Sequence, residues 1–174
     1  MGYTHYWKQS KPFSQREWDQ IIAEAKRIVA KAKRGLYAGP EDSGSQTKLD
    51  VDERGFRAGF NEPGAWRTFP NPDQPIPCQG AAIRIAGGDG TGRPEFTTEH
   101  IILNGAGKES YETFHLTRKP WLREGEKESF DFCKTEYRPY DAVVVSILHV
   151  ARTVAPQKIK VSSDGGEGAI KLLF

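Results

Sequence analysis

A chain of 174 residues with 37% hydrophobic and 11% aromatic side chains can build one domain around its own core, which excludes general disorder and any need for a metal or disulfide staple. A formal net charge of +2, from 25 basic and 23 acidic residues, excludes the cation excess of a protein that grips a nucleic-acid polymer by its phosphates. Two cysteines without paired spacing, Cys78 and Cys133, point to free thiols, and the absence of a leader-like opening or a long apolar run points to a cytoplasmic protein with no membrane partner.

Residues 3–8 alternate, with Tyr3, His5 and Trp7 on one face and Thr4, Tyr6 and Lys8 on the other, which predicts a first strand. Ser14 and Glu17 then form a capping box, in which the hydroxyl takes the Glu17 amide and the carboxylate reaches back to Ser14. Trp18, Ile21, Ile22, Ala25, Ile28, Val29 and Ala32 follow at helical spacing, and Gly35 supplies a left-handed stop. The first 34 residues carry eight Lys or Arg against three acids, with bases late in the helix where they complement its dipole.

Between residues 36 and 77 Gly, Pro, Asp and Ser dominate, so a long loop or insertion is expected within the single domain. Its residues 54–61 could form a short hairpin or a wrapped loop. Its aromatics Phe56, Phe60, Trp66 and Phe69 could anchor a protein partner or fold back as a lid.

Ala81–Ala86 predicts a strand and residues 87–92 a tight glycine loop leading to a second strand at 100–105, with a further strand at 111–117. The glycine loop lacks the Gly-Lys-Ser/Thr ending and following helix of a phosphate loop, so a strand–turn–strand hairpin is expected. Beyond the charged residues 123–129 come Phe130–Thr135 and a second helix with Pro139 in its first turn. Its stripe of Val143, Val144, Ile147, Leu148, Ala151 and Val154 is expected to pack on the sheet. Residues 158–162 and 169–174 predict closing strands. The fold class is therefore α+β, a mixed or mainly antiparallel sheet with two amphipathic helices on it.

Chemistry is harder to find. The histidines at 5, 100, 115 and 149 never occur as a metal pair, although His5 and His115 could share a sheet face. Cys133 would need a base such as His115 to act as a nucleophile, and Glu112, Asp131, Asp141 and Asp164 are too scattered to be read as an acid–base pair. What stands out is a mixture of aromatics and cations, including Tyr3, Tyr6, Trp7, Phe114, Phe132, Lys134, Arg138 and Tyr140. It suits a flat anionic ligand or an ordinary aromatic core.

The opening MGYTHYW, Asp89-Gly90-Thr91-Gly92, Asn104-Gly105, Glu112-Thr113-Phe114, Phe130–Thr135, Arg138–Asp141 and Val161–Gly165 together resemble a family of small phage and prophage proteins of largely unassigned function. Residues 36–77 have no place in the resemblance, and the tail after Gly165 departs from the family's acidic, Trp-containing ending. The resemblance implies a phage origin and, by analogy, a role against host defence by sequestering a nucleotide immune signal such as a cyclic dinucleotide or an ADP-ribose derivative. Carried onto this chain, the binding residues would be Tyr3, His5, Tyr6, Trp7, Asp89, Thr91, Asn104, Phe114, Lys134, Thr135, Arg138, Tyr140, Ser162 and Asp164, with no cofactor and no catalytic set. Lys134 and Arg138, beside the start of the second helix, would take the phosphate. A hydrolase or lyase with His5 or His115 as base is the alternative, and a protein-binding inhibitor another. Self-association into a homo-oligomer is compatible with the sequence.

Overall fold

The computed structural model describes residues 3–35, 82–166, 169–170 and 173–174, together with the backbone of two short strands at 50–51 and 57–58. Cys78, the proposed anchors Phe56, Phe60, Trp66 and Phe69, and most of the expected loop lie outside the described residues. The strands β2 (Asp50–Val51) and β3 (Arg57–Ala58) pair antiparallel, so a hairpin begins just ahead of the expected 54–61 segment.

β1 (Thr4–Gln9) is the central strand of a three-stranded antiparallel sheet, flanked by β8 (Ser129–Lys134) and β9 (Ile159–Ser163). Tyr3, His5 and Trp7 are buried together with Gln9; on the opposite face Lys8 is exposed and Tyr6 half-buried, but Thr4 is buried. Between β1 and the rest of the chain runs α1 (Gln15–Lys33), opened by the full capping box: the Glu17 amide donates to Ser14 Oγ at 3.3 Å, and the Ser14 amide donates to Glu17 Oε2 at 2.6 Å. Trp18, Ile21, Ala25, Ile28, Val29 and Ala32 are buried along one face, and Gly35 ends the segment at φ +66°.

The second sheet is organised around β6 (His100–Gly105). On one edge lies β7 (Phe114–Thr117), and on the other lie β4 (Ile85–Ala86) and β5 (Glu95–Phe96) in tandem. Ala86 pairs with Asn104 and Glu95 with Ile102, so residues 87–94 are an excursion from one edge rather than the hairpin expected between 81–86 and 100–105. The excursion closes on itself through Gly87 N–H to Thr91 O at 2.7 Å and Gly90 N–H to Gly87 O at 2.9 Å. A Cβ at Gly87 would stand 2.7 Å from that same Thr91 oxygen, and Gly90 holds φ +82°, so both glycines are required by the turn. The expected strand at 81–86 is shortened because Ile83 donates instead to the carbonyl of Ala32 at the end of α1.

α2 (Asp141–Val154) is buried on nearly every side through Ala151 and packs against α1 and β9. It starts later than expected: Pro139 precedes it and Tyr140 is its N-cap. Glu136 and Tyr137 both have positive φ, and the Asp141 amide donates to Arg138 O in a tight turn, so the chain reverses before it coils. The expected last strand is also absent among the described residues. Ala169, Ile170 and Leu173 are buried against α2 instead, with the Leu173 amide donating to Ser146 Oγ at 3.1 Å and Arg152 Nη2 donating to Ile170 O at 3.2 Å. The architecture is α+β, with two helices packed on antiparallel sheets around one continuous cluster of buried side chains. No described helix is long and apolar enough to cross a membrane.

Candidate functional site

Where β8 ends, the chain wraps around the start of β1: the amides of Thr135 and Glu136 both donate to Tyr3 O. This turn delivers Asp141, from the first turn of α2, to His5, whose Nε2 lies 2.7 Å from Asp141 Oδ1. Thr135 donates its hydroxyl to the same oxygen. With a carboxylate as acceptor, Nε2 donates this bond, and Nδ1 is buried with no hydrogen-bond partner among the described residues. Tyr3 packs edge-on against His5 at 4.9 Å and stacks on Tyr137 at 4.4 Å. Burial, and then the charge of Asp141, push the Tyr3 hydroxyl well above the ordinary phenol range, while Tyr137 is pushed up to about 12. Both phenols therefore stay neutral at working pH. His5 and Thr135 are fully enclosed, so this cluster fixes the turn and has no opening to a substrate.

Several other expected ligand residues are also consumed internally. Asn104 is buried, and all its bonding capacity is spent: Nδ2 donates to Gly88 O and Tyr111 O, and Oδ1 accepts from the amides of Gly105 and Tyr111. It ties the glycine excursion to the segment after β6. Trp7 and Phe114 meet in the core at 5.5 Å. Tyr140 donates to Glu112 O at 2.8 Å, and Lys134 N–H donates to Glu112 Oε2 at 2.7 Å, so Glu112 fastens the start of β7 to the end of β8. Cys133, also buried there, donates to Glu112 O at 3.5 Å; burial pushes its thiol up, which makes it a poor nucleophile. Asp89 and Thr91 are exposed, but the Asp89 carboxylate accepts both the amide and hydroxyl of Thr91, and those bonds hold it below the usual carboxylate range.

The expected phosphate end is built differently from a simple cationic helix start. Lys134 Nζ lies over the Tyr111 ring at 5.6 Å, and Arg138 sits 3.6 Å from Glu136 while donating to Lys108 O. The first turn of α2 already carries the Asp141 carboxylate. His5 and His115 do not share a cluster. His115, on β7, meets His100 edge-to-face at 5.6 Å, and the charges facing it are His100, Asp131 and Glu95. Among the described residues no three His, Cys, Asp or Glu side chains are grouped to hold a metal ion.

The outer face of the first sheet is open. Tyr6 lies opposite Phe132 and Ser162, and Lys8 opposite Phe130 and Lys160, so these six side chains share the outward face of the β8–β1–β9 sheet. Phe130 and Phe132 are 57% and 53% exposed, unusual for phenylalanine on a strand. The rings form a row, with Tyr6 to Phe130 at 6.0 Å and 22° and Phe130 to Phe132 at 6.4 Å and 37°. Asp164 steadies one end, accepting from Tyr6 Oη and from the Thr4 amide, both at 3.0 Å. At the other, Lys8 and Lys160 converge on the single carboxylate of Glu128, at 3.1 and 3.9 Å, leaving a surplus positive charge. Phe130 is not among the expected site residues, and Phe132 stands only in the aromatic-and-cation mixture, not in the expected binding set. The Phe-Asp-Phe alternation next to a buried-face cysteine was the available signal.

No protein-family model, curated protein or solved structure matches this chain.

Proposed function

We propose that the protein is a non-enzymatic binder that withdraws a nucleotide-derived small molecule from solution, with the open β8–β1–β9 face as its base-holding surface. The carrying observation is the row of half-buried Tyr6 and exposed Phe130 and Phe132, with Lys8 and Lys160 in register beside Phe130. Aromatic faces take up bases by stacking, and flanking ammonium groups meet phosphates. Of the expected ligand residues, Tyr6, Ser162 and Asp164 lie on or beside this face, whereas Tyr3, His5 and Thr135 lie behind it and hold the adjoining turn. The phage-family resemblance supports reading the ligand as a host immune signal, a cyclic dinucleotide or an ADP-ribose derivative.

Calorimetric titration against such nucleotides, followed by chromatography of the released ligand, tests the proposal. Binding with intact ligand is expected, and Phe130→Ala should weaken it by about 1–3 kcal/mol, the range for one base–aromatic stack. Failure of every nucleotide to bind at micromolar protein removes the reading. A hydrolase reading is supported by one observation: His115 reaches solvent on β7 beside His100, and partial desolvation, then the His100 charge, hold it below the ordinary imidazole value. Recovery of altered ligand, lost in His115→Ala, would select it.

A further inference from the structure

We infer that the open aromatic face recognises a ligand presenting at least two unstacked bases joined through a phosphodiester, rather than a lone base; this rests on the nucleotide reading above. The argument is one of spacing. Consecutive ring centroids lie 6.0 and 6.4 Å apart, and Phe130 and Phe132 are each more than half exposed, so a ligand meets two separate ring surfaces rather than one. A nucleotide strand in a stacked helix advances only about 3.4 Å per residue, so bases seated on successive rings must be splayed apart. A duplex cannot do this. Two bases linked through a sugar-phosphate bridge can, and single-stranded ligands bind aromatic sheet faces in this manner. A mononucleotide would leave one exposed phenylalanine uncovered.

The cations fit the same ligand. Lys8 and Lys160 are adjacent across the β1–β9 ladder, 50% and 81% exposed, and among the described residues only Glu128 opposes them. One bridging phosphate beside the rings satisfies that surplus, whereas a long polyanion would demand far more charge than this chain of net +2 supplies. Affinity should therefore come from stacking and depend weakly on salt.

The test titrates the full chain with a mononucleotide, the linear dinucleotide, the cyclic dinucleotide and a hexanucleotide, in adenine and in guanine form, with ADP-ribose alongside. Both dinucleotides are expected to bind at least tenfold more tightly than the mononucleotide. Phe130→Ser and Phe132→Ser should each bring dinucleotide affinity down to the mononucleotide level, while Phe130→Tyr and Phe132→Tyr preserve it. Both positions are exposed, so an unchanged melting temperature checks that the fold survives. Preference for the cyclic over the linear dinucleotide assigns a compact signal, whereas preference for the hexanucleotide over both overturns the two-base, single-phosphate inference. Equal affinity for mononucleotide and dinucleotide, or binding of ADP-ribose alone, overturns the two-base inference and leaves the nucleotide reading standing. Silence from every probe overturns both. So does a dimer in the ligand-free protein that Phe130→Ser dissociates, because a second copy would then own the face.

Discussion

Asp141 is the residue on which the turn before α2 depends. One of its oxygens accepts from both His5 and Thr135, and all three side chains are enclosed. Removing the carboxylate strands an imidazole N–H and a hydroxyl without water, and each buried donor left unpaired in this way typically costs about 1–3 kcal/mol. Asp141→Ala should therefore lower the urea midpoint by the equivalent of about 3 kcal/mol or more with an unchanged m-value, whereas Asp141→Asn, which keeps an acceptor oxygen, should cost far less. Equal, small losses in the two variants would show that the cluster is not what holds the turn. The sequence could not announce this pairing, because His5 and Asp141 stand 136 positions apart and nothing local links them. It could announce Ser14 and Glu17, which are three apart and bond within one helical turn. Asn104 shows the opposite failure: a polar residue in a motif suggested a ligand, yet its amide is fully occupied by neighbouring backbone.

Elements with their own periodicity were readable, and those defined by what they lean on were not. The α1 stripe and the β1 alternation each report burial directly, and both fell within a residue or two of the observed bounds. The apolar tail after Gly166 carries no period that separates a strand from a segment docked on α2, and its described residues took the second course. The delayed start of α2 has a local cause, the consecutive positive φ angles of 49° at Glu136 and 59° at Tyr137. Non-glycine residues there cost about 1–2 kcal/mol each, so the turn is maintained by the Tyr3–Tyr137 stack and the bonds to Tyr3 O. Glu136 is the clean probe, since its side chain makes only a partly exposed contact with Arg138. Glu136→Gly should be neutral to stabilising by up to about 1 kcal/mol, the relief outweighing the added chain entropy. Glu136→Val, with a branched Cβ at positive φ, should lose about 1–2 kcal/mol. Thermal melts of the pair would show opposite shifts; a shift in the same direction for both would mean that the side chain, not the backbone, decides.

At the scale of the whole molecule, the two sheets are fastened at Glu112 and Lys134 and face each other, along β7 and β8, through His115 and Asp131. Burial, then the neighbouring His100, lower the His115 pKa from its ordinary 6.5, while Asp131 and Glu95 pull the other way; Asp131 itself is raised from 3.8 by burial. A lowered histidine pKa means that the unfolded chain binds the proton first as pH falls. This contribution therefore carries no penalty above the ordinary imidazole value, and stability is lost progressively as pH drops toward the lowered one. Asp131 acts in the opposite sense and at lower pH, where the folded state is protonated first, and Glu17, held down by Lys158, adds a further loss in that acidic range. The histidine effect is thus isolated between about pH 7 and about pH 5. Urea titrations across that window should show His115→Gln losing less stability on acidification than the parent chain. Asp131→Asn should lose more, because the neutral amide no longer supports the imidazolium across the junction of the sheets. Three parallel curves would mean that the two sheets meet without electrostatic communication, and the pH dependence would then have to originate elsewhere in the fold.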